Sequence, residues 1–196
     1  MTRPAPAVFQ AILNGTAEPG EAIAITPRFL PLAVEIVGAE AGWQRLGAVE
    51  AKIAAAVAAL GGHHRVAPFL PAEACIALST DASVRTLNRA WRTKDHATNV
   101  LSFPTPPGQP VAEGIPPFVG DVVLALETIQ QEALGLGIPV EHHIQHLVIH
   151  GLLHLFGFDH EEDAMAEEME AIETEVLATM GIGDPYAGDE QQERST

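Results

Sequence analysis

The sequence predicts a single domain of the α/β or α+β class, because short apolar runs alternate with segments of helical periodicity. Four apolar runs have the length of strands, and they lie at 32–37, 74–78, 99–103 and 121–126. At 196 residues the chain is large enough to bury one core. Strand order and direction do not follow from these patterns.

Two helices are predicted in the first half of the chain. Apolar residues recur at helical spacing between 46 and 60, and Gly61 and Gly62 supply a stop. The second helix begins near an N-cap at 79–81 and has Val84, Leu87 and Trp91 on its apolar face. A stretch rich in proline and glycine, 104–117, predicts a loop.

Two further helices are predicted in the second half. A long apolar helix begins near Pro139 and runs to about Phe156, where Gly157 ends it. The last helix has acidic residues in its first turn and stops at Gly181. Its apolar stripe consists of Met165, Met169, Ile172, Val176 and Met180.

The ends of the chain differ in composition from the middle. Residues 1–30 are rich in Pro, Gly and Ala without a clear period, and we expect a loosely attached extension there. Residues 182–196 are polar and are expected to form a disordered acidic tail. The domain therefore covers residues 31–181.

The net charge of −16 is unfavourable for binding a polyanion, but the charge is unevenly distributed. Residues 161–196 contain 12 acidic residues and one basic residue. In contrast, Arg85, Arg89, Arg92 and Lys94 lie within ten residues. Because a local basic patch can hold a phosphate backbone, the charge weakens a nucleic-acid function without excluding it.

A cytoplasmic location is the expectation, with no membrane partner. The sequence has no apolar stretch of membrane-spanning length, and its first residues do not have the pattern of a signal peptide. The one cysteine, Cys75, excludes an internal disulfide and a cysteine-rich zinc site. Its apolar neighbours favour burial over reactivity.

Three histidines near the end of the long helix indicate a metal site. His150 and His154 are four residues apart, so they lie on the same helix face. Gly157 lets the chain turn back, which can bring His160 round as a third ligand. Three imidazoles with an open fourth position are typical of catalytic zinc, and the sequence therefore predicts a zinc-dependent hydrolase with one ion per chain.

The spacing of these histidines is also that of a family of zinc peptidases, but that chemistry needs a glutamate after the first histidine. Gly151 occupies the position here and can transfer no proton. A second-shell or packing role is expected for His146, and surface positions for His142 and His143. Asp159 is expected either to cap the last helix or to orient a ligand histidine.

The segment His150–His160 resembles the signature of the YbeY family of metal-dependent endoribonucleases, His-Gly-x-x-His-x-x-Gly-x-Asp-His. Two further segments are similar to that family: Leu87–Asp95 followed by Thr98–Pro104, and Gly120-Asp121 with the apolar run after it. Trp91 stands where the family usually has tyrosine. The resemblance covers roughly residues 32–181.

The resemblance implies a small mixed sheet flanked by helices, with the zinc site on a central helix. It also implies a single-strand-specific endoribonuclease that acts at the 3′ end of small-subunit ribosomal RNA and in ribosome quality control. The ribosome or its small subunit would be the partner. By the same analogy His150, His154 and His160 are the metal ligands, and Arg92 is the catalytic arginine.

Several alternatives stay open from the residues alone. The stripe of Arg85, Arg89 and Arg92, with Lys94 beyond it, is either an RNA backbone contact or a solvated face. The general base is not identified, and Asp121 is a weak candidate. The rival functions are a metal-dependent hydrolase of another substrate and a ribosome-assembly factor whose zinc is mainly structural.

Overall fold

The computed structural model describes residues 32–38, 41–108, 110–111 and 113–187. At its centre lies a mixed four-stranded sheet in the order β1-β2-β4-β3, with β1, β2 and β4 parallel and β3 antiparallel to β4. The strands are β1 Leu32–Val37, β2 Ala72–Ser79, β3 Val100–Pro104 and β4 Phe118–Ala125. The predicted fold class and all four strand positions are confirmed.

Six helices surround the sheet in the described residues, together with a short 3₁₀ turn at Ala67–Phe69. The sequence analysis missed α1 and α4. Helix α4 begins at the residue after β4 ends, so no turn residue separates the two elements and the pattern shows no boundary. The helices are α1 Ala41–Gln44, α2 Val49–Gly61, α3 Asp81–Arg92, α4 Leu126–Leu136, α5 Val140–Leu155 and α6 Asp163–Thr179.

Helix α5 is the central helix, and it contacts α2, α4, α6, β3 and β4. Buried residues lie on most of the circumference of α5, so this helix does not have one apolar and one polar face. Gly151 allows the helix to approach the sheet, because a Cβ atom there would lie 2.7 Å from Val122 Cγ1. The Ser102 hydroxyl on β3 also donates to the Gly151 carbonyl at 3.0 Å. Close packing therefore requires glycine at this position.

The end of α5 matches the prediction, whereas the start of α6 differs from it. Gly157 has φ +91°, a backbone conformation that glycine adopts without strain, and the chain turns there. The N-cap of α6 is Glu162, so Asp159 does not cap this helix. Met165, predicted on the apolar stripe of this helix, lies in its first turn and is exposed. The buried part of the stripe begins at Met169.

Helix α3 begins as expected and differs at its end. The Thr80 side chain accepts a hydrogen bond from the Ser83 backbone N–H, as an N-cap does. Val84 and Leu87 are buried, but Trp91 is 57% exposed. Trp91 lies in the last turn of α3. Of the three residues predicted to share one helix face, only Val84 and Leu87 are therefore covered by the core.

The predicted extension, residues 1–30, lies outside the described residues. Of the predicted disordered tail, residues 182–187 are described and make contacts: Ile182 packs on the core and the Tyr186 hydroxyl donates to Glu173. Residues 188–196 lie outside the description. In the part of the chain that the structure describes, no helix is both long and apolar enough to cross a membrane.

Candidate metal centre and adjoining basic face

The three signature histidines lie together at the end of α5. His150 and His154 project from consecutive turns of the helix, and their Nε2 atoms are 3.2 Å apart. The turn at Gly157 brings back His160, whose ring centroid lies 5.5 Å from that of His150 and 5.0 Å from that of His154. Each residue offers one ligand nitrogen, and these nitrogens all lie within 4.8 Å of one another. The structure thus brings together the three histidines that the sequence spacing predicted as metal ligands.

Two of the three rings are oriented by hydrogen bonds from their Nδ1 atoms. His150 Nδ1 donates to Glu173 Oε1 on α6 at 2.9 Å. His154 Nδ1 donates to the Phe158 carbonyl at 3.0 Å, within the turn that also carries His160. Both Nε2 atoms are consequently left facing the space between the rings. Ligand histidines in metal sites commonly have this arrangement, in which the second nitrogen is held by an outer partner.

Glu173 was missed by the sequence analysis. It is completely buried, and its other oxygen accepts a hydrogen bond from His146 Nε2 at 2.7 Å and another from the Tyr186 hydroxyl. Burial alone would raise the pKa of Glu173, but the hydrogen bonds from His146 and His150 outweigh it and lower the pKa to about 2. The sequence contained one signal for this residue: Glu173 follows Ile172 on the apolar stripe of α6, where a carboxylate needs a buried partner.

The surroundings of His154 favour its neutral form, which is the form that binds a metal ion. Burial lowers the pKa of His154, and the neighbouring rings of His150 and His160 lower it further. Asp159 has a small opposing effect, with its Oδ1 atom 3.9 Å from His154 Nδ1. The same oxygen accepts the His160 backbone N–H at 2.8 Å, so Asp159 helps to shape the turn.

The remaining histidines of α5 have structural partners. His146 bonds to Glu173, which agrees with the expected second-shell or packing role. His143 was expected at the surface, but it is buried and its Nε2 atom lies 2.8 Å from Glu132 Oε2. This prediction was wrong because Glu132 belongs to α4, the helix that the sequence analysis did not identify. His142 is partly buried.

Two other groups in the described residues have donor atoms close enough to share an ion. The first, His146, His150 and Glu173, overlaps the signature cluster, but its atoms already form the hydrogen bonds that orient His150. The second consists of His63, His64 and Glu175, where His63 Nε2 and Glu175 Oε2 form an ion pair at 2.9 Å. The signature cluster differs from both because the Nε2 atoms of His150 and His154 face each other while their Nδ1 atoms are engaged.

The donor set of the signature cluster fits a divalent transition-metal ion. Imidazole nitrogen is a preferred ligand of zinc and of its neighbours in the first transition series. Three such ligands leave at least one coordination position open. His160 is solvent-exposed, and His150 and His154 are partly exposed, so that position is accessible.

Arg92 adjoins this cluster through β3. Its Nη2 atom donates to the Ser102 carbonyl at 3.2 Å, and the hydroxyl of the same serine bonds to Gly151, next to His150. One serine therefore connects the arginine to the histidine helix. The other N–H groups of the guanidinium remain available for a ligand, because a guanidinium has five donors.

The other basic residues of this region are exposed but not equivalent. The Arg85 guanidinium forms two hydrogen bonds with the Asp95 carboxylate, at 2.9 and 3.0 Å. These bonds lower the pKa of Asp95 and partly neutralise Arg85. Arg89, on α3, and Lys94, just beyond its end, are both exposed. In this basic region Arg85 is therefore paired with Asp95, whereas Arg89 and Lys94 face solvent.

Asp121, considered as a general base, lies on β4 and is buried. Its neighbours in the sheet register are Cys75 on β2 and Phe103 on β3. It is therefore placed inside the sheet between two strands. A role for Asp121 in proton transfer stays a prediction.

A shallow cavity of about 180 Å³ lies against the Gly157 turn. Phe69, which is 42% exposed, forms one wall and contacts Phe156 and Phe158 with ring centroids 5.4 and 5.8 Å apart. Asp159 and Glu168 add carboxylates to its lining. This cavity is apolar with acidic residues, in contrast to the basic face on α3.

Known proteins similar to this chain point to one family. The model of the family described as Endoribonuclease YbeY matches residues 46–181. The Endoribonuclease YbeY of Azorhizobium caulinodans is 49% identical over 156 residues, which cover 79% of this chain and 96% of the relative. That of Agrobacterium fabrum is 50% identical over 124 residues, or 63% of this chain and 73% of the relative.

A third relative and one solved structure are also similar to this chain. The Endoribonuclease YbeY of Rhodospirillum rubrum is 44% identical over 177 residues, covering 85% of this chain and 88% of the relative. Among solved structures, the solution structure of TM1509 from Thermotoga maritima is 24% identical with a TM-score of 0.45, covering 75% of this chain and 91% of that one. The family model matches well over half of the chain and includes every signature histidine. The chain belongs to the YbeY family.

Proposed function

We propose that this protein is a zinc-dependent, single-strand-specific endoribonuclease that matures the 3′ end of small-subunit ribosomal RNA. The proposal includes a part in ribosome quality control, a cytoplasmic location, and the ribosome or its small subunit as partner. The observation that carries it is the convergence of three imidazole nitrogens within 4.8 Å, beside an arginine connected to the same helix. Membership of a family described as endoribonucleases supports the reaction type.

His150, His154 and His160 would hold the ion, one per chain. Bound there, zinc would supply Lewis-acid chemistry at a phosphoryl oxygen and an acidified water at neutral pH. The protein's part is to orient the rings, through Glu173 at His150 and the Phe158 carbonyl at His154. Burial favours the neutral form of His154 by lowering its pKa. An oriented set of ligands lowers the entropic cost of assembling the site.

Arg92 would bind the phosphodiester that is cleaved. Charge builds on the non-bridging oxygens during cleavage, and a guanidinium can form two parallel hydrogen bonds to them. The contact with the Ser102 carbonyl restrains the side chain at the edge of the histidine helix. Arg85, Arg89 and Lys94 would contact the flanking backbone, which carries one charge per nucleotide.

The first experiment is single-turnover cleavage of a single-stranded RNA by the metal-loaded protein, with His154→Ala and Arg92→Ala as test variants. We expect His154→Ala to lose both the bound metal and the cleavage. Arg92→Ala should retain the metal and the fold but cleave about 100-fold more slowly, as when a transition-state hydrogen-bond donor is removed. His64→Ala is the matched control, since it removes a histidine of the other cluster.

Each proposed function predicts a different result. A folded, metal-loaded wild type that cleaves no RNA, alone or with small subunits, would contradict the endoribonuclease. Loss of folding in His154→Ala together with an inactive wild type would favour the assembly factor with structural zinc. Normal cleavage of RNA by Arg92→Ala would leave the arginine without a catalytic role. Equal cleavage of duplex and single-stranded RNA would contradict the strand preference.

A further inference from the structure

The two tryptophans of the chain are in opposite environments. Trp43 is completely buried, and its indole N–H donates to the Ser79 carbonyl at 2.8 Å. Trp91 is 57% exposed at the end of α3. A single exposed apolar side chain needs no functional explanation by itself, so its surroundings decide the interpretation.

The surroundings of Trp91 are cationic in a strongly acidic protein. Residues 85–95 contain four basic residues and one acidic residue, Asp95, whereas the whole chain has a net charge of −16. Asp95 is occupied by Arg85, which leaves Arg89, Arg92 and Lys94 as exposed cations within three residues of Trp91 in the sequence. An electropositive surface with an exposed aromatic ring is typical of sites that bind single-stranded nucleic acid.

The indole is held against β3, the edge strand that also accepts a hydrogen bond from Arg92. Its ring contacts Phe103 edge to face, with centroids 6.1 Å apart and an interplanar angle of 70°. Phe103 follows Ser102, the residue that bonds to both Arg92 and Gly151. Trp91 and Arg92, the arginine proposed to hold the cleaved phosphate, therefore contact consecutive residues of the same edge strand.

We propose that Trp91 is the base-stacking residue of this site and binds an unpaired base of the RNA next to the cleaved bond. The inference rests on the proposed endoribonuclease function and specifies how the strand is bound. A base inside a duplex has its faces covered by neighbouring pairs, so a stacking residue favours single strands. Arg89 and Lys94 would contact the neighbouring phosphates.

The test uses Trp91→Leu, which keeps an apolar side chain but removes the aromatic face, and Trp91→Tyr, which restores one. Cleavage of a short single-stranded RNA should show KM raised about 5- to 140-fold in Trp91→Leu, the range for loss of one stacked base. The kcat value and metal content should change little, and Trp91→Tyr should recover most of the loss. Phe69→Leu is the matched control, because it changes an exposed aromatic beside carboxylates instead of cations.

A binding measurement judges the proposal independently of cleavage. A 2′-O-methyl single-stranded oligonucleotide should quench the tryptophan fluorescence of the wild type, whereas Trp91→Tyr should show no such quenching because Trp43 is buried. An inactive wild type that still shows this difference would contradict the endoribonuclease function but support the stacking. Unchanged KM in Trp91→Leu with equal quenching in both proteins would overturn the proposal, as would an equal effect of Phe69→Leu.

Discussion

The histidine cluster and the arginine face of α3 are connected through Ser102 but are organised differently. In the cluster, His150 and His154 each have a partner for the outer nitrogen, and their inner nitrogens converge. On α3, Arg92 has one backbone contact, and Arg89 and Lys94 face solvent. A metal requires fixed ligands at short distances, whereas a flexible polyanion can be held by mobile cations.

The largest effect expected from this difference is complete loss of the metal in acid. Burial and the neighbouring rings lower the pKa of His154 below its usual value of 6.5, so it stays neutral further into acid than a free histidine. Protonation of the ligands below about pH 5 should release the ion. Measuring metal content after dialysis at stepwise lower pH checks this, and stoichiometric metal at pH 4 would contradict three histidine ligands.

The same shift makes a prediction for the metal-free protein. Because the pKa of His154 is lower in the folded state, the unfolded chain takes up its proton first as the pH falls. The contribution of this residue to stability is therefore present above about pH 6.5 and decreases as the pH falls below it. Denaturant unfolding of the metal-free protein at several pH values measures this change, and His154→Ala should reduce the slope.

A smaller effect is expected from the support of the cluster by Glu173. In Glu173→Gln one oxygen acceptor becomes an N–H donor that faces a histidine, so one of the two hydrogen bonds is lost. Metal affinity should fall about 10- to 100-fold, the usual cost of losing an outer partner. Competition with a chelator measures this. Tyr186→Phe is the control, since it leaves both histidine contacts intact, and equal affinities in the two variants would contradict an orienting role.

The smallest effect is expected within the arginine face. Arg85 is paired with Asp95, so Arg89→Ala should weaken RNA binding more than Arg85→Ala does. For one lost phosphate contact on a single strand, the slope of log affinity against log salt should decrease by about 0.7. Salt titrations of both variants measure this. Equal slopes would mean that the ion pair opens on binding, and the distinction between the two arginines would then disappear.

Most of the fold and the histidine cluster could be predicted because their signals are local. The spacing of His150 and His154 places them on one helix face in any helix, and the glycine after the helix marks the turn that returns His160. The four strands were equally visible as short apolar runs. Of the two missed helices, α1 has only four residues, and α4 follows its strand without a turn, so its start had no local signal.

The sequence by itself determined the metal-ligand candidates, the fold class and the concentration of basic residues on α3. The tertiary structure decided which side chains orient the metal ligands, which ones pair with the basic residues, and which apolar residues are buried. Glu173 orients His150 from 23 residues away, Asp95 occupies Arg85, and Trp91 is exposed although its spacing fits the buried face. These outcomes depend on contacts between separate elements. Helical periodicity describes one element at a time and contains no information about which neighbour covers it.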